Sequence, residues 1–150
     1  MAILNYTTTV EALKTAGEIQ GILVAHGAKT IYMDYDQGVV VALTFVIGTP
    51  FGEVPIRLPV NARAVLAVMD KQWRQSKIPH RFVNYPQAVR VAWRITKDWV
   101  EAQMAILETE MVRMEQIFLP YMETKSGKTF YEVMVGRHLA LPEGKEEGEK

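Results

Sequence analysis

At 150 residues, 49% of them apolar and 23% charged, the chain is long and apolar enough to bury a core without metal or disulfide support. It contains no cysteine, which excludes a disulfide scaffold, thiolate metal ligands and a cysteine nucleophile, and fits a reducing compartment. Formal net charge is zero, so total charge selects no partner and the position of the charges has to be examined instead.

Met1 to Tyr6 carries no basic stretch ahead of an apolar run, so no secretory signal is expected. No segment approaches the ~20 apolar residues of a membrane helix, so the expectation is a cytoplasmic protein without a membrane partner. Asn5-Tyr6-Thr7 suits a short edge strand. Thr8 and Glu11 have the spacing of a capping box, and Val10, Leu13, Ala16, Ile19 and Leu23 follow at helical intervals up to a stop at Gly27. Thr30–Tyr35 and Val39–Ile47 are expected strands joined by a tight Asp36-Gln37-Gly38 turn. Glu53–Leu58 is a third strand that Pro55 confines to an edge.

Asn61 is placed to cap a second helix that buries Val65, Leu66, Met69 and Trp73. A polar connector, Gln75 to Asn84, leads to a long helix from Tyr85 to Leu119, capped by Asn84 and ended by Pro120; it would be about 50 Å long. After a Ser126-Gly127-Lys128 turn, Thr129–Val135 is expected as a last strand. The stretch from Leu141 to Lys150 is polar and acidic, which suits a disordered tail. The expected fold is α+β: a three- to four-stranded antiparallel meander in (β)αβββα order, plus a long C-terminal helix and a short terminal strand. Residues 1–142 would form one domain and 143–150 the tail.

Charge is concentrated in one block. Between Arg57 and Lys97 stand nine cations, Arg57, Arg63, Lys71, Arg74, Lys77, Arg81, Arg90, Arg94 and Lys97, against one acid, Asp70. Trp73, His80, Phe82, Tyr85 and Trp93 are interleaved with them. Arg63, Arg74 and Lys77 share one helical stripe, while Arg90, Arg94 and Lys97 share another, and together the two stripes would line one groove. Cations neutralise phosphates with release of counterions, and aromatic faces stack bases whatever the sequence, so the block suits a single nucleic-acid strand. Trp73 and Trp93 fall at core spacing and are expected to be buried, which leaves Phe82 and Tyr85 as base-stacking residues. The bland alternative is an ordinary solvated face.

Along the long helix Val89, Trp93, Val100, Met104, Leu107, Met111, Met114, Phe118 and Tyr121 step by fours, threes and one seven, a heptad seam lacking only position 96. It suits packing across the sheet as core. Its distal part, Met104, Leu107, Met111, Met114, Phe118 and Tyr121, also suits a homo-oligomer interface. His26, His80 and His138 have no second ligand at metal spacing, and no glycine-rich phosphate cradle is present. Asp34 and Asp36 ahead of Gly38 fit a hairpin turn better than a cation loop. The expectation is a protein that is not an enzyme and has no metal or cofactor.

The opening Met1-Ala2-Ile3-Leu4-Asn5-Tyr6-Thr7-Thr8-Thr9, the block Ala88 to Glu108, and Phe118-Leu119-Pro120-Tyr121-Met122 together resemble a family of short proteins from phages and prophages of Gram-positive, often thermophilic, bacteria. The resemblance covers about residues 1–142. It implies a thermostable single-stranded-DNA-binding protein acting in the host cytoplasm, in phage DNA replication or recombination, and brings no catalytic motif. The αβββα order also looks like a double-stranded-RNA-binding domain, but Asn61-Ala62-Arg63-Ala64 lacks that family's lysine cluster. The expected partner is single-stranded DNA, with RNA as an alternative, alongside a homo-oligomer and a host or phage replication protein. Arg57, Arg63, Lys71, Arg74, Lys77, Arg81, Arg90, Arg94 and Lys97 would hold phosphates. The rival expectation is a phage-encoded interaction module that modulates a host enzyme through the long helix.

Overall fold

A computed structural model describes residues 1–137. Helix α1 (Ala12–Ala25) is followed by strands β1 (Thr30–Asp36), β2 (Val39–Thr49) and β3 (Gly52–Arg57) and by helix α2 (Ala62–Arg74). Helices α3 (Tyr85–Glu108), α4 (Met114–Phe118) and α5 (Phe130–Gly136) complete the chain, with 3-10 turns at His80–Phe82 and Leu119–Tyr121. The strands form an antiparallel meander in the order β1-β2-β3, as the β-branched runs predict. Gln37 and Gly38 both take positive φ, 48° and 80°, the geometry a two-residue hairpin turn needs. Pro55 lies on the edge strand, where its missing N–H breaks no ladder bond, and its carbonyl accepts from Glu123 N–H at 2.8 Å.

One face of the sheet is covered by α1 and α3. Ala16, Ile19 and Leu23 of α1 meet Leu43, Phe45, Ile47 and Ile56 of the sheet and Val89, Trp93, Val100 and Met104 of α3, all essentially buried. Trp93 keeps its indole N–H satisfied inside this core by donating to the Val40 carbonyl at 3.1 Å. The opposite side of α3 is covered by α2, where Met69, Ile78 and Ala88 form a smaller second core. α3 is therefore the central layer, with apolar side chains on two sides.

Asn61 and Asn84 cap their helices as expected, accepting from Ala64 and Gln87 N–H at 3.0 and 2.9 Å. At Gly27, φ 99°, the chain leaves α1 through a pair of bonds in which Ala28 N–H reaches the Leu23 carbonyl and Gly27 N–H that of Val24.

Four expectations are corrected. Residues 5–7 form a turn, not an edge strand, because side chains capture this segment. Gln87 donates to the Tyr6 and Thr8 carbonyls, and Gln72 accepts from Ile3 N–H, so the N-terminus straps α2 to α3. No capping box forms at Thr8, whose hydroxyl accepts from Val10 N–H; α1 begins only after Glu11, and Leu13 is exposed. The long helix stops at Glu108, about 36 Å from its start. Glu110 turns left-handed at φ 60°, and α4 folds back so that Phe118 packs edge-on against Phe45 and Trp99. Finally, the 129–135 segment is helical: Thr129 and Glu132 form a capping box in which each side chain satisfies the other residue's backbone N–H. The acidic tail and His138 lie outside the described residues.

Candidate nucleic-acid interface

The nine cations of the basic block do not share a surface. Arg57 projects from β3 and binds the Glu123 carboxylate through Nε at 2.9 Å and the Gly127 carbonyl through Nη2 at 2.9 Å. It holds the turn before α5, with its guanidinium engaged by these two acceptors. Arg94 and Lys97 face α1, where both bind the Glu18 carboxylate, at 2.8 and 3.1 Å, and Lys97 also reaches Glu101 at 3.2 Å. The Lys97 ammonium, then the Arg94 guanidinium, hold the Glu18 carboxyl below its ordinary pKa, and Glu18 in turn raises that of Lys97. These side chains link α1 to α3 and are mostly covered. Arg90 is drawn to Gln87 Oε1 by Nε and Nη2, at 3.0 and 2.8 Å. The second basic stripe is thus an interhelical seam, and the single groove expected from two stripes does not form.

The first stripe does reach solvent. Arg63, Lys71 and Arg74 share the exposed face of α2 over about 16 Å, and Lys77 and Arg81 continue from its C-terminus along the connector. Arg74 pairs with Asp70 at 3.0 Å in an exposed contact of the kind that contributes little to stability. No carboxylate of the described residues lies within ion-pair distance of Arg63, Lys71, Lys77 or Arg81.

The aromatic assignments shift as well. Phe82 is half-buried and meets Tyr6 edge-on at 5.3 Å, so it anchors the N-terminal strap, and the Arg81 guanidinium lies over its ring, 4.8 Å from the centroid. Trp73, expected in the core, is 38% exposed and packs on the His80 ring at 4.3 Å, with the Arg74 guanidinium 6.0 Å away. Tyr85 is equally exposed and has Arg63 above its ring at 5.9 Å. Arg63 with Tyr85 thus marks one end of α2 and Arg74 with Trp73 and His80 the other, while Lys71 is exposed on the last turns of the helix and Lys77 and Arg81 on the connector beyond it. The position of Trp73 was readable in principle: it precedes the connector at the end of α2, where fewer neighbours remain to cover it.

The expected oligomer interface is largely consumed internally. Met104 and Phe118 are buried, and Leu107, Met114 and Tyr121 pack against the main core; only Met111, 71% exposed, is free. The seam is real as a pattern, but its partner is this chain's own sheet. Sequence reasoning also missed a groove beside Tyr85, where Tyr35 and Arg90 line a cavity of about 240 Å³ and Asn61 and Arg63 an adjoining one of about 250 Å³. Its walls come from four separate segments, and no local pattern announces it. Among the described residues no cluster of three histidine or acidic side chains is gathered to hold a metal, and no helix is long and apolar enough to cross a membrane. Comparison with protein families, curated proteins and solved structures finds no match for this chain.

Proposed function

We propose that the protein is a non-enzymatic nucleic-acid-binding protein that holds a single strand, DNA in the first instance, along the ridge formed by α2 and the following connector. The observation that carries this reading is the exposed series Arg63, Lys71, Lys77 and Arg81, free of carboxylate partners among the described residues and flanked by the accessible rings of Trp73, His80 and Tyr85. Phosphates meet cations there, and bases meet ring faces that stack without regard to sequence. Arg57, Arg94 and Lys97 serve the fold. The resemblance in the opening and α3 segments adds phage DNA replication or recombination as the proposed setting.

The test is fluorescence anisotropy of a labelled oligothymidylate at two salt concentrations. Binding is expected to weaken steeply with salt. The double charge reversal Lys71→Glu/Lys77→Glu should reduce the slope of log affinity against log salt by about 1.4, some 0.7 for each phosphate that is no longer neutralised. An absence of binding even at low salt overturns the proposal and favours an interaction module.

A further inference from the structure

The groove beside Tyr85 holds an arrangement that the fold alone does not require. Its cavity of about 240 Å³ opens between the start of α1, the tip of the β1–β2 hairpin and the first turn of α3. Leu13, Tyr35 and Val39 line it while remaining 58%, 55% and 37% exposed, an apolar mouth with no cover. At its rim stand Glu11 and Arg90, the Oε1 of one 3.9 Å from the Nη1 of the other. That is too long for a hydrogen bond, so the carboxylate and the outer guanidinium edge lie side by side with their hydrogen-bonding capacity unspent.

Arg90 is fixed in place. Its Nε and Nη2 both donate to Gln87 Oε1, and Gln87, 5% exposed, is itself locked by donating to the Tyr6 and Thr8 carbonyls at 2.7 and 2.9 Å. A buried amide with every polar atom occupied therefore orients the arginine and leaves Nη1 toward the cavity rim. Such a locked supporting residue is the usual requirement for a precise binding contact. Glu11 caps α1 without a side-chain hydrogen bond, and Arg90 is the one charged partner of its carboxylate among the described residues.

An acceptor group beside a donor group, above an apolar slot with tyrosine rings, fits one natural base best. We propose that this cavity takes a guanine. Its N1–H and exocyclic N2–H donate to the Glu11 carboxylate, its O6 accepts from Arg90 Nη1, and its ring lies against Tyr35 or Tyr85. No other natural base presents two adjacent donors next to an acceptor on one edge; thymine, with acceptors on both sides of its N–H, would turn one of them toward the carboxylate. The guanine comes from the bound strand, because Arg63 and Tyr85 connect the ridge to the groove: Tyr85 lines both cavities and Arg63 the second. The inference rests on the ridge reading and adds one position of base preference to it.

The experiment compares three probes on the full chain: an octathymidylate, the same octamer with one central thymine replaced by guanine, and free deoxyguanosine monophosphate. The guanine octamer is expected to bind at least about fivefold more tightly than the octathymidylate. Glu11→Gln should abolish that advantage, and Tyr35→Ala should weaken the guanine octamer more than the octathymidylate. Both side chains are exposed, so circular dichroism should report an unchanged fold. Equal affinity for the two octamers overturns the guanine site while the ridge reading stands. If neither octamer binds, the ridge reading fails and so does the strand as the source of the base.

Discussion

His26 sets both ring nitrogens against oxygen acceptors, Nδ1 on the Ile22 carbonyl at 2.8 Å and Nε2 on Glu108 at 3.0 Å. Only the imidazolium donates to both at once. The Ile22 contact first, and Glu108 second, therefore raise its pKa above the ordinary histidine value. Since the folded-state pKa is the higher one, the stabilisation is complete below about pH 6.5 and is lost as pH rises through the raised value. The difference in melting temperature between the native chain and His26→Gln should accordingly be larger at pH 5.5 than at pH 8.5; a constant difference would mean the ring does not titrate in this contact. Trp73 supplies a second test at this scale. Of the three tryptophans only Trp73 is exposed, so oligonucleotide binding should quench fluorescence in the native chain and leave Trp73→Phe nearly unchanged.

The helices show where local patterns succeed and where they fail. Asn61, Asn84 and Gly27 announce helix ends through chemistry that acts within a few residues, and all three act as the sequence predicts. Thr8 and Glu11 share their spacing with Thr129 and Glu132, yet only the second pair closes a capping box. At the first, Gln87 binds the Thr8 carbonyl from 79 positions away, a contact no local pattern contains. The heptad seam of α3 likewise specifies an apolar face but not the surface that meets it. The sequence marks the stripe, while the left-handed Glu110 decides that its distal part returns to the sheet. Phe118 is the residue that makes this return count. Fully buried between Phe45 and Trp99, its replacement by alanine should cost about 3–5 kcal/mol in denaturant unfolding, and a cost near zero would mean α4 is not docked.

Over the whole molecule the cations separate into two populations that composition could not distinguish. Arg57, Arg94 and Lys97 are held by carboxylates from distant parts of the chain, whereas Arg63, Lys71, Lys77 and Arg81 face water. The clustering of positive charge was legible in the sequence; its division was not, because Glu18 and Glu123 lie far from the block in sequence and beside it in space. The two populations should respond oppositely to mutation. Arg94→Ala is expected to lower the melting temperature by a few degrees while folded protein keeps its oligonucleotide affinity, and Lys71→Glu to lower affinity without a change in melting temperature. Calorimetry and anisotropy on the same samples check both, and a loss of affinity in Arg94→Ala would return that residue to the interface.

The docking of Phe118 also has a consequence during synthesis. Phe45 is translated 73 positions before the ring that covers it, a delay of roughly 4–15 s at ordinary elongation rates. Throughout that interval the Phe45 ring has α1 and then α3 to pack on but lacks its last neighbour, so this flank of the core closes only when the final quarter of the polypeptide is made.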